Sequence, residues 1–225
     1  TVEQTATVRS RLRDEGLSIN DLGIAASMLV FAAMFPAVKS SHFVTVLNPV
    51  DLRLPSDRYL SAANKTGFTY LRRRHRDCRS LPTLVQGVRG ETTYIKNRFV
   101  GAEFIHGLTS ADRKPWLLAL IRRAGLFTPT MQFTCLGDTT RGKRYGFRQE
   151  HGVVTFGQLQ LEHISGVAPV ATGVPLSITA CETNSRLSIT VHSGSRYLTA
   201  EQGTEFADAV VAEILNWSHQ GSGSA

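Results

Sequence analysis

The sequence contains few cysteines and none of the short cysteine motifs that indicate a metal site or a disulfide framework. It has three cysteines in 225 residues, at the widely separated positions Cys78, Cys135 and Cys181. They form no Cys-x-x-Cys pair, and none lies at metal-ligand spacing from a histidine. We therefore expect reduced, mostly buried thiols, no metal site and a cytoplasmic protein.

Long apolar runs are also absent. The longest, from Ile24 to Phe35, covers about 12 residues, whereas a membrane-spanning helix needs about 20. No basic segment followed by an apolar stretch and a small-residue cleavage site is present, so no signal peptide is predicted. The segment from Gly137 to Arg144 lacks the Gly-x-x-x-x-Gly-Lys-Ser/Thr spacing of a phosphate-binding loop. We expect no membrane span and no phosphate-binding glycine loop of this type.

Positive charge is plentiful in an otherwise ordinary globular composition. The formal net charge is +7, with 42% hydrophobic and 19% charged residues. The excess is concentrated in two clusters, which consist of Arg72, Arg73, Arg74, Arg76 and Arg79, and of Arg141, Lys143, Arg144 and Arg148. Such clusters raise the local concentration of polyanions.

A phosphorylated carrier is one candidate partner for these clusters, either coenzyme A or a phosphopantetheinyl protein. Nucleic acid is less favoured, because no helix-turn-helix, zinc-finger or RNA-binding aromatic motif accompanies the arginines. A solvated basic face without a dedicated partner remains an open alternative.

The hydrophobic periodicity alternates between helical and strand patterns. Ser18 and Asp21 form a predicted capping box, and Thr199 is a predicted cap of the last helix. Residues 183–186 are a predicted hairpin turn. Helical patterns cover 2–15, 22–35, about 81–106, 116–124 and about 200–217, and strand patterns cover 42–47, 68–74, 130–136, 153–156, 157–165, 176–182 and 187–193. This order predicts an α+β fold, a two-layer sandwich of a mixed β-sheet with helices packed mainly on one face.

Four segments, taken in order, carry a resemblance to a known superfamily. The first is Ser18-Ile19-Asn20-Asp21 before an apolar helix, and the second reads HFVTVLNPVDLR from His42 to Arg53. The third reads FTCLGD over residues 133–138, and the fourth is the hairpin and closing helix of residues 175–210. Together they resemble the C-terminal half of acyltransferases related to chloramphenicol acetyltransferase. That superfamily includes peptide-synthetase condensation domains, polyketide-associated and alcohol acyltransferases, and wax ester synthases.

The resemblance implies that residues 1–218 are a coenzyme A-dependent acyltransferase-like lobe, with 219–225 as a tail or linker. The catalytic signature of the superfamily is two adjacent histidines followed by an aspartate, and it lies upstream of this region. None of the seven histidines here is adjacent to another. We therefore expect no catalytic residue in this half and a missing N-terminal lobe as its partner. The start at Thr1 and the glycine-serine end agree with a piece of a longer protein.

The resemblance also implies the co-substrates and the site residues. An acyl-CoA or an acyl carrier protein would supply the thioester, with an alcohol or amine as acceptor and no covalently bound cofactor. Arg53 matches the arginine that braces the catalytic aspartate, with Asn48 and Asp51 beside it, although Asp51 could equally be the partner of Arg53. Expected tunnel-lining residues are Cys135, Gly137 and Asp138, with Cys135 where the superfamily often has asparagine. Expected anion- or carrier-binding residues are Arg72, Arg73, Arg74 and Arg76.

Two further readings stay open. The chain could be a non-catalytic binding module that recognises a carrier protein or another anionic partner through its arginine clusters. The chain could also bind nucleic acid, which would require a steep salt dependence of its affinity for DNA or RNA. The histidines His163 and His192 are expected to be structural, because no nucleophile is identifiable near either in the sequence.

Overall fold

A computed structural model describes residues 1–39, 42–54, 56–57, 65–114, 116, 119–120, 128–140, 149–150, 153–168 and 173–220. The helices are α1 (Val2–Asp14), α2 (Ile19–Met34), α3 (Leu81–Asn97), α4 (Val100–Asp112) and α5 (Ala200–Gln220). The strands are β1 (Phe43–Asp51), β2 (Thr66–Arg74), β3 (Met131–Asp138), β4 (Gln149–Glu150), β5 (Val153–Phe156), β6 (Leu159–Gln160), β7 (Leu176–Thr183) and β8 (Arg186–Ser193).

The main sheet has five strands in the order β2-β1-β3-β7-β8. The pairs β1/β3 and β3/β7 are parallel, while β1/β2 and β7/β8 are antiparallel, so the sheet is mixed. The short strands β4, β5 and β6 form a separate antiparallel sheet. The predicted α+β class with a mixed sheet is confirmed.

One face of the main sheet carries the hydrophobic core. Val46, Phe133 and Ile178 are fully buried on successive strands and belong to one cluster with residues of α1, α2, α3 and α5. Helix α2 packs so closely on β3 that a Cβ atom at Gly23 would lie 2.2 Å from the ring of Phe133. Only glycine fits there, because real Cβ atoms do not approach to that distance.

The start of α2 is fixed by the predicted capping box, which is confirmed. The backbone N–H of Asp21 donates to Ser18 Oγ at 3.2 Å, and the backbone N–H of Ser18 donates to Asp21 Oδ2 at 3.0 Å. The buried hydroxyl of Thr92 in α3 donates to Asp21 Oδ1 at 2.6 Å. Asp21 therefore caps one helix and ties it to another.

The helix predicted over about 81–106 is in fact two helices, α3 and α4. They meet at Phe99, whose φ of +52° ends the regular helical backbone. The new axis brings α4 against β2, where a Cβ atom at Gly67 would lie 2.3 Å from the carbonyl oxygen of Gly101. Phe104 of α4 also packs near the rings of Phe68 and Tyr70, at centroid distances of 5.8 and 6.0 Å. This close packing on β2 accounts for the break.

The strand predicted over 157–165 is mostly wrong, since only β6 is a strand there. Beyond Leu161, whose N–H still donates to the Val154 carbonyl of β5, no backbone ladder forms, and two N–H groups of the segment are paired with side chains of β7. The N–H of Ile164 donates to Thr183 Oγ1, and the N–H of Ala168 donates to Thr179 Oγ1, each at 3.2 Å. The segment thus contacts the face of the sheet opposite the core, where a strand could not pair.

Two predicted segments, 116–124 and 219–225, are described only in part. The helix predicted over 116–124 lies mostly outside the described residues, although Trp116, Ala119 and Leu120 are helical. Helix α5 continues through Gln220, so the predicted tail of 219–225 begins inside this helix. Within the described residues, no single helix is long and apolar enough to cross a membrane; only α1 and α2 taken jointly, bent by 104°, meet that test.

Candidate functional site

A pocket of about 240 Å³ lies between α1 and the C-terminal ends of β3 and β7. Its apolar lining consists of Val8, Leu12, Leu17, Ile19, Ala180 and Leu187. Its charged lining consists of Arg9 and Arg13 from α1, Asp138 from β3 and Glu182 from β7. The three residues that the sequence predicts as tunnel-lining, Cys135, Gly137 and Asp138, all border this pocket.

An irregularity in β3 determines which of its residues face the pocket. Cys135 pairs with Ala180, but the next partner of β7, Cys181, is paired with Gly137, so Leu136 is an extra residue. Gly137 has a φ of +68°, the left-handed conformation in which glycine is favoured. The bulge reverses the alternation of side chains, and Asp138 therefore lies opposite Glu182 on the core side of the sheet.

Arg9 binds both carboxylates across the edge of the pocket. Its Nη2 lies 2.7 Å from Glu182 Oε2 and 3.8 Å from Asp138 Oδ2. The side chains of Glu182 and Asp138 are only 9% and 17% exposed. Thr140 donates to Asp138 Oδ1 through its backbone N–H at 3.0 Å and its hydroxyl at 2.8 Å. Two neighbouring carboxylates repel each other, and the guanidinium of Arg9 offsets that repulsion.

Burial disfavours ionisation of two thiols, those of Cys135 in the pocket and of Cys78 elsewhere in the core. Burial raises the pKa of the Cys135 thiol and outweighs the hydrogen bond from the Gly137 backbone, which lowers it. Burial also raises the pKa of Cys78 to about 11, with Arg73 lowering it. A thiol that stays protonated at neutral pH is a poor nucleophile. All three cysteines are free, and Cys78 and Cys181 are buried.

The predicted bracing residues separate into two places. Arg53 Nη1 lies 3.5 Å from Asp51 Oδ1, and the same oxygen accepts the backbone N–H of Arg53 at 3.0 Å. Both side chains are close to half exposed, at 43% for Arg53 and 48% for Asp51. In this chain Asp51 is therefore a partner of Arg53, the alternative that the sequence left open.

Asn48 instead lies on the core side of β1 and is 6% exposed. Its Nδ2 donates to Oδ1 of Asn20 in α2 at 3.1 Å. Its backbone carbonyl accepts the hydroxyl of Thr69 in β2 at 3.2 Å. The two sequence segments that carry the resemblance, which start at Ser18 and His42, are thus joined directly by an amide pair. Sequence reasoning missed this bond, although both asparagines stood in the quoted motifs.

The four predicted anion-binding arginines do not share one surface. Arg72 and Arg74 lie over the ring of Phe43, at 4.3 and 5.9 Å from its centroid. Arg73, between them, projects from the other face, because successive side chains of a strand alternate.

Arg73 is held there by Glu91 of α3, with Nη1 2.6 Å from Oε1. Arg76 lies beside Asp77, at 3.6 Å. Among the described residues Arg72, Arg74 and Arg79 form no salt bridge, and all three are exposed, as is Arg76. The second cluster, 141–148, lies outside the described residues.

The structure corrects one statement about the histidines. Ser177 of β7 is paired directly with His192 of β8, although no nucleophile near His192 was expected. Ser177 is 1% exposed, and its Oγ has no hydrogen-bond partner in the described part of the chain. A buried, unactivated hydroxyl cannot attack a substrate, so this pair is not a nucleophile and its base, and the structural role of His192 stays a prediction. No group of His, Cys, Asp and Glu in the described ranges is arranged to hold a metal ion.

No protein-family model and no curated protein sequence matches this chain. Solved structures do match. The epimerization domain from the third module of tyrocidine synthetase B superposes with a TM-score of 0.62 and 19% identity, over 98% of this chain and 46% of that one. Trichothecene 15-O-acetyltransferase from Fusarium sporotrichioides superposes with a TM-score of 0.64 and 12% identity, over 96% of this chain and 45% of that one. Polyketide synthase associated protein 5 from Mycobacterium tuberculosis superposes with a TM-score of 0.55 and 12% identity, over 98% of this chain and 50% of that one.

The chain has the condensation and acyltransferase type of fold. A first condensation domain, that of the CDA synthetase, also matches it, with a TM-score of 0.54. The resemblance drawn from the sequence is thereby confirmed at the level of fold. The chain spans only about half the length of the solved structures with this fold that it matches, between 42% and 50%.

Proposed function

We propose that this chain is the C-terminal lobe of an acyltransferase. The enzyme would move an acyl group from a coenzyme A or carrier-protein thioester to a hydroxyl or amine acceptor. The observation that carries the proposal is the pattern of coverage: 96–98% of this chain matches at most half of each of these structures, among them an acetyltransferase and a condensation domain. The absence of adjacent histidines from the sequence agrees with a general base that a second lobe supplies.

In the proposed reaction the base on the other lobe removes a proton from the acceptor. The acceptor oxygen or nitrogen then attacks the thioester carbonyl carbon, and the carbon–sulfur bond breaks to release the thiol. The role of this chain would be to position the substrates. The ends of β3 and β7, with Cys135, Gly137 and Asp138, would form one wall of the substrate tunnel. The ion pairs of Arg9 connect α1 to both strands.

Arg53 has a separate proposed part. Its guanidinium presents a planar fork that suits bidentate binding of a carboxylate. In this chain its side chain is 43% exposed, and its Nη1 lies 3.5 Å from Asp51 Oδ1. In the two-lobed enzyme it would turn to the aspartate of the catalytic motif and hold that side chain in place.

A second candidate function is a non-catalytic module that binds a carrier protein. The pair of exposed arginines over Phe43 favours it, because Arg72 and Arg74 make no salt bridge among the described residues. Carrier proteins that present acidic surfaces would be attracted to such a patch. The same arginines could equally serve the acyltransferase by drawing in its phosphorylated donor.

Reconstitution distinguishes the two functions. The 225-residue chain would be assayed alone and in one polypeptide with the segment encoded directly upstream, by release of free thiol from acyl-CoA in the presence of alcohols and amines. We expect no turnover from the chain alone and turnover from the longer protein, abolished when its paired histidines are replaced by alanine. Turnover by the chain alone, or an upstream segment without a paired-histidine motif, would contradict the acyltransferase proposal.

A further inference from the structure

The pocket under α1 is lined by residues of this chain alone, and they include the proposed tunnel-wall residues Cys135, Gly137 and Asp138. It lies within this chain, with lining residues from α1, β3, β7 and the start of β8. Its volume of about 240 Å³ is equivalent to roughly eight water molecules at ~30 Å³ each. That is smaller than the usual site of a drug-sized ligand, about 300–1,000 Å³. A short chain fits it, and a long one does not.

Part of the pocket lining is apolar. Val8 and Leu12, one turn apart on α1, form one side. Ala180 of β7 and Leu187 of β8 form the other side, on the core face of the sheet. Water held against such a lining has few hydrogen-bond partners, so an apolar group would replace it favourably.

The charges at the edge of the pocket are not equivalent. The guanidinium of Arg9 is already bound to Glu182 and Asp138, so its single positive charge is shared between these two carboxylates. Arg13 lies one turn further along the same helix, is exposed, and forms no salt bridge within the described residues. The nearby Glu15 is paired with Arg11, at 2.8 Å. The cation left at the edge of the pocket for an incoming ligand is therefore Arg13.

We propose that this pocket binds a short-chain monocarboxylate, with its alkyl chain between Val8, Leu12, Ala180 and Leu187 and its carboxylate at Arg13. An alkylammonium of the same length would meet Arg13 with the same sign of charge and would bind more weakly. The inference goes beyond the proposed function, because a lobe can help to form an enzyme without holding a ligand by itself. Binding is measured on this chain alone, whereas the acyltransferase is tested by reconstitution, so that failure of one leaves the other standing.

The first test is a series of ligands titrated into the 225-residue chain by calorimetry and ligand-observed NMR. Butanoate, hexanoate and octanoate are compared with hexylamine in its ammonium form and with hexanol. We expect affinity to rise by up to about fourfold per methylene, from the transfer free energy of a CH₂ group, until the pocket is full. Hexanoate should bind more tightly than hexylammonium. Equal binding of the two ions, or no dependence on chain length, would overturn the proposal.

The second test uses matched variants. Arg13→Gln should lower the affinity for hexanoate by up to about fivefold, which is the usual contribution of an exposed ion pair. It should leave the affinity for hexanol unchanged. Arg113→Gln removes one positive charge from a residue outside the pocket lining, and it should change neither the affinity for hexanoate nor the affinity for hexanol. Equal weakening by both variants would reduce the effect to net charge and contradict a specific site.

The third test fills the pocket. Ala180→Leu and Leu187→Phe each place extra carbon atoms in the space assigned to the alkyl chain, and either should abolish hexanoate binding in a protein that remains folded by circular dichroism. A further measurement uses the unmodified chain and so does not depend on whether these variants fold. Intermolecular NOEs should join the hexanoate methylenes to the methyl groups of Leu12 and Leu187. Binding with NOEs only to other residues would overturn the assignment.

Discussion

Asp138 and Glu182 lie directly opposite each other on two parallel strands, although the regular alternation of β3 would place Asp138 on the other face. The extra residue Leu136 and the left-handed Gly137 cause the reversal. The two carboxylates then share one cation, Arg9 of α1. This bridge attaches the first helix to the sheet and forms the charged edge of the pocket. A local defect in one strand thus determines how α1 is held.

Replacement of Arg9 should show how much this bridge contributes. Arg9→Ala leaves two adjacent carboxylates, and Glu182 is only 9% exposed in its side chain. We expect the free energy of unfolding to fall by about 1–3 kcal/mol, between the values for exposed and buried pairs. Urea denaturation measures it, with Arg113→Ala as a control expected to stay within about 0.5 kcal/mol. Restoration of stability by an added Glu182→Gln would support the electrostatic cause, and equal effects of Arg9→Ala and its control would contradict it.

The amide pair of Asn20 and Asn48 should be coupled in stability. Removal of Asn20 leaves the buried amide of Asn48 without its partner, at a cost of about 1–3 kcal/mol, and removal of Asn48 leaves the partly buried amide of Asn20 without its own. We expect Asn20→Ala and Asn48→Ala to be less than additive in a double-mutant cycle, with a coupling energy of at least about 0.5 kcal/mol. Chemical denaturation of the four proteins gives the coupling. Strict additivity would mean that the bond does not contribute to stability.

Arg53 should matter more in the complete enzyme than in this chain. Its contact with Asp51 is exposed, so Arg53→Ala should cost at most about 1 kcal/mol here. If Arg53 braces a buried catalytic aspartate in the two-lobed protein, the same change should cost about 3–5 kcal/mol there and reduce turnover. Arg53→Lys should not restore turnover fully, because lysine lacks the planar fork. Equal destabilisation in both proteins would remove the bracing role and leave Asp51 as the partner.

Cys78 should make stability depend on alkaline pH. Burial raises its pKa in the folded state from 9.0 to about 11, so the fold favours the neutral thiol. This contribution is fully present below about pH 9 and is lost as the pH rises towards 11, because the unfolded chain ionises first. Melting temperatures from pH 7 to 11 should fall less steeply in Cys78→Ala than in the unmodified chain. Parallel curves for the two proteins would contradict the assignment.

The arginine cluster shows where sequence reasoning reaches its limit. Four arginines that are close in sequence suggested one anion-binding surface, yet Arg73 faces Glu91 while Arg72 and Arg74 face Phe43. The alternation of a strand was available from the sequence, because 68–74 was predicted as β. The presence of Glu91 behind the strand was not, because α3 reaches that place only through tertiary packing. The number of exposed cations therefore could not be counted in advance.

The sequence by itself determined the features that depend on neighbours along the chain. The capping box of Ser18 and Asp21, the hairpin of β7 and β8 and the order of helices and strands follow from local periodicity and turn chemistry, and together they indicated the fold type. Only the tertiary structure decided the bulge at Leu136, the break at Phe99 and the course of 161–168. Each depends on partners that lie far away in sequence, such as Glu182, Gly67 and Thr183. A hydrogen bond or close contact between distant segments leaves no periodic trace, and for this reason the pocket and its charged edge could be located only in the folded chain.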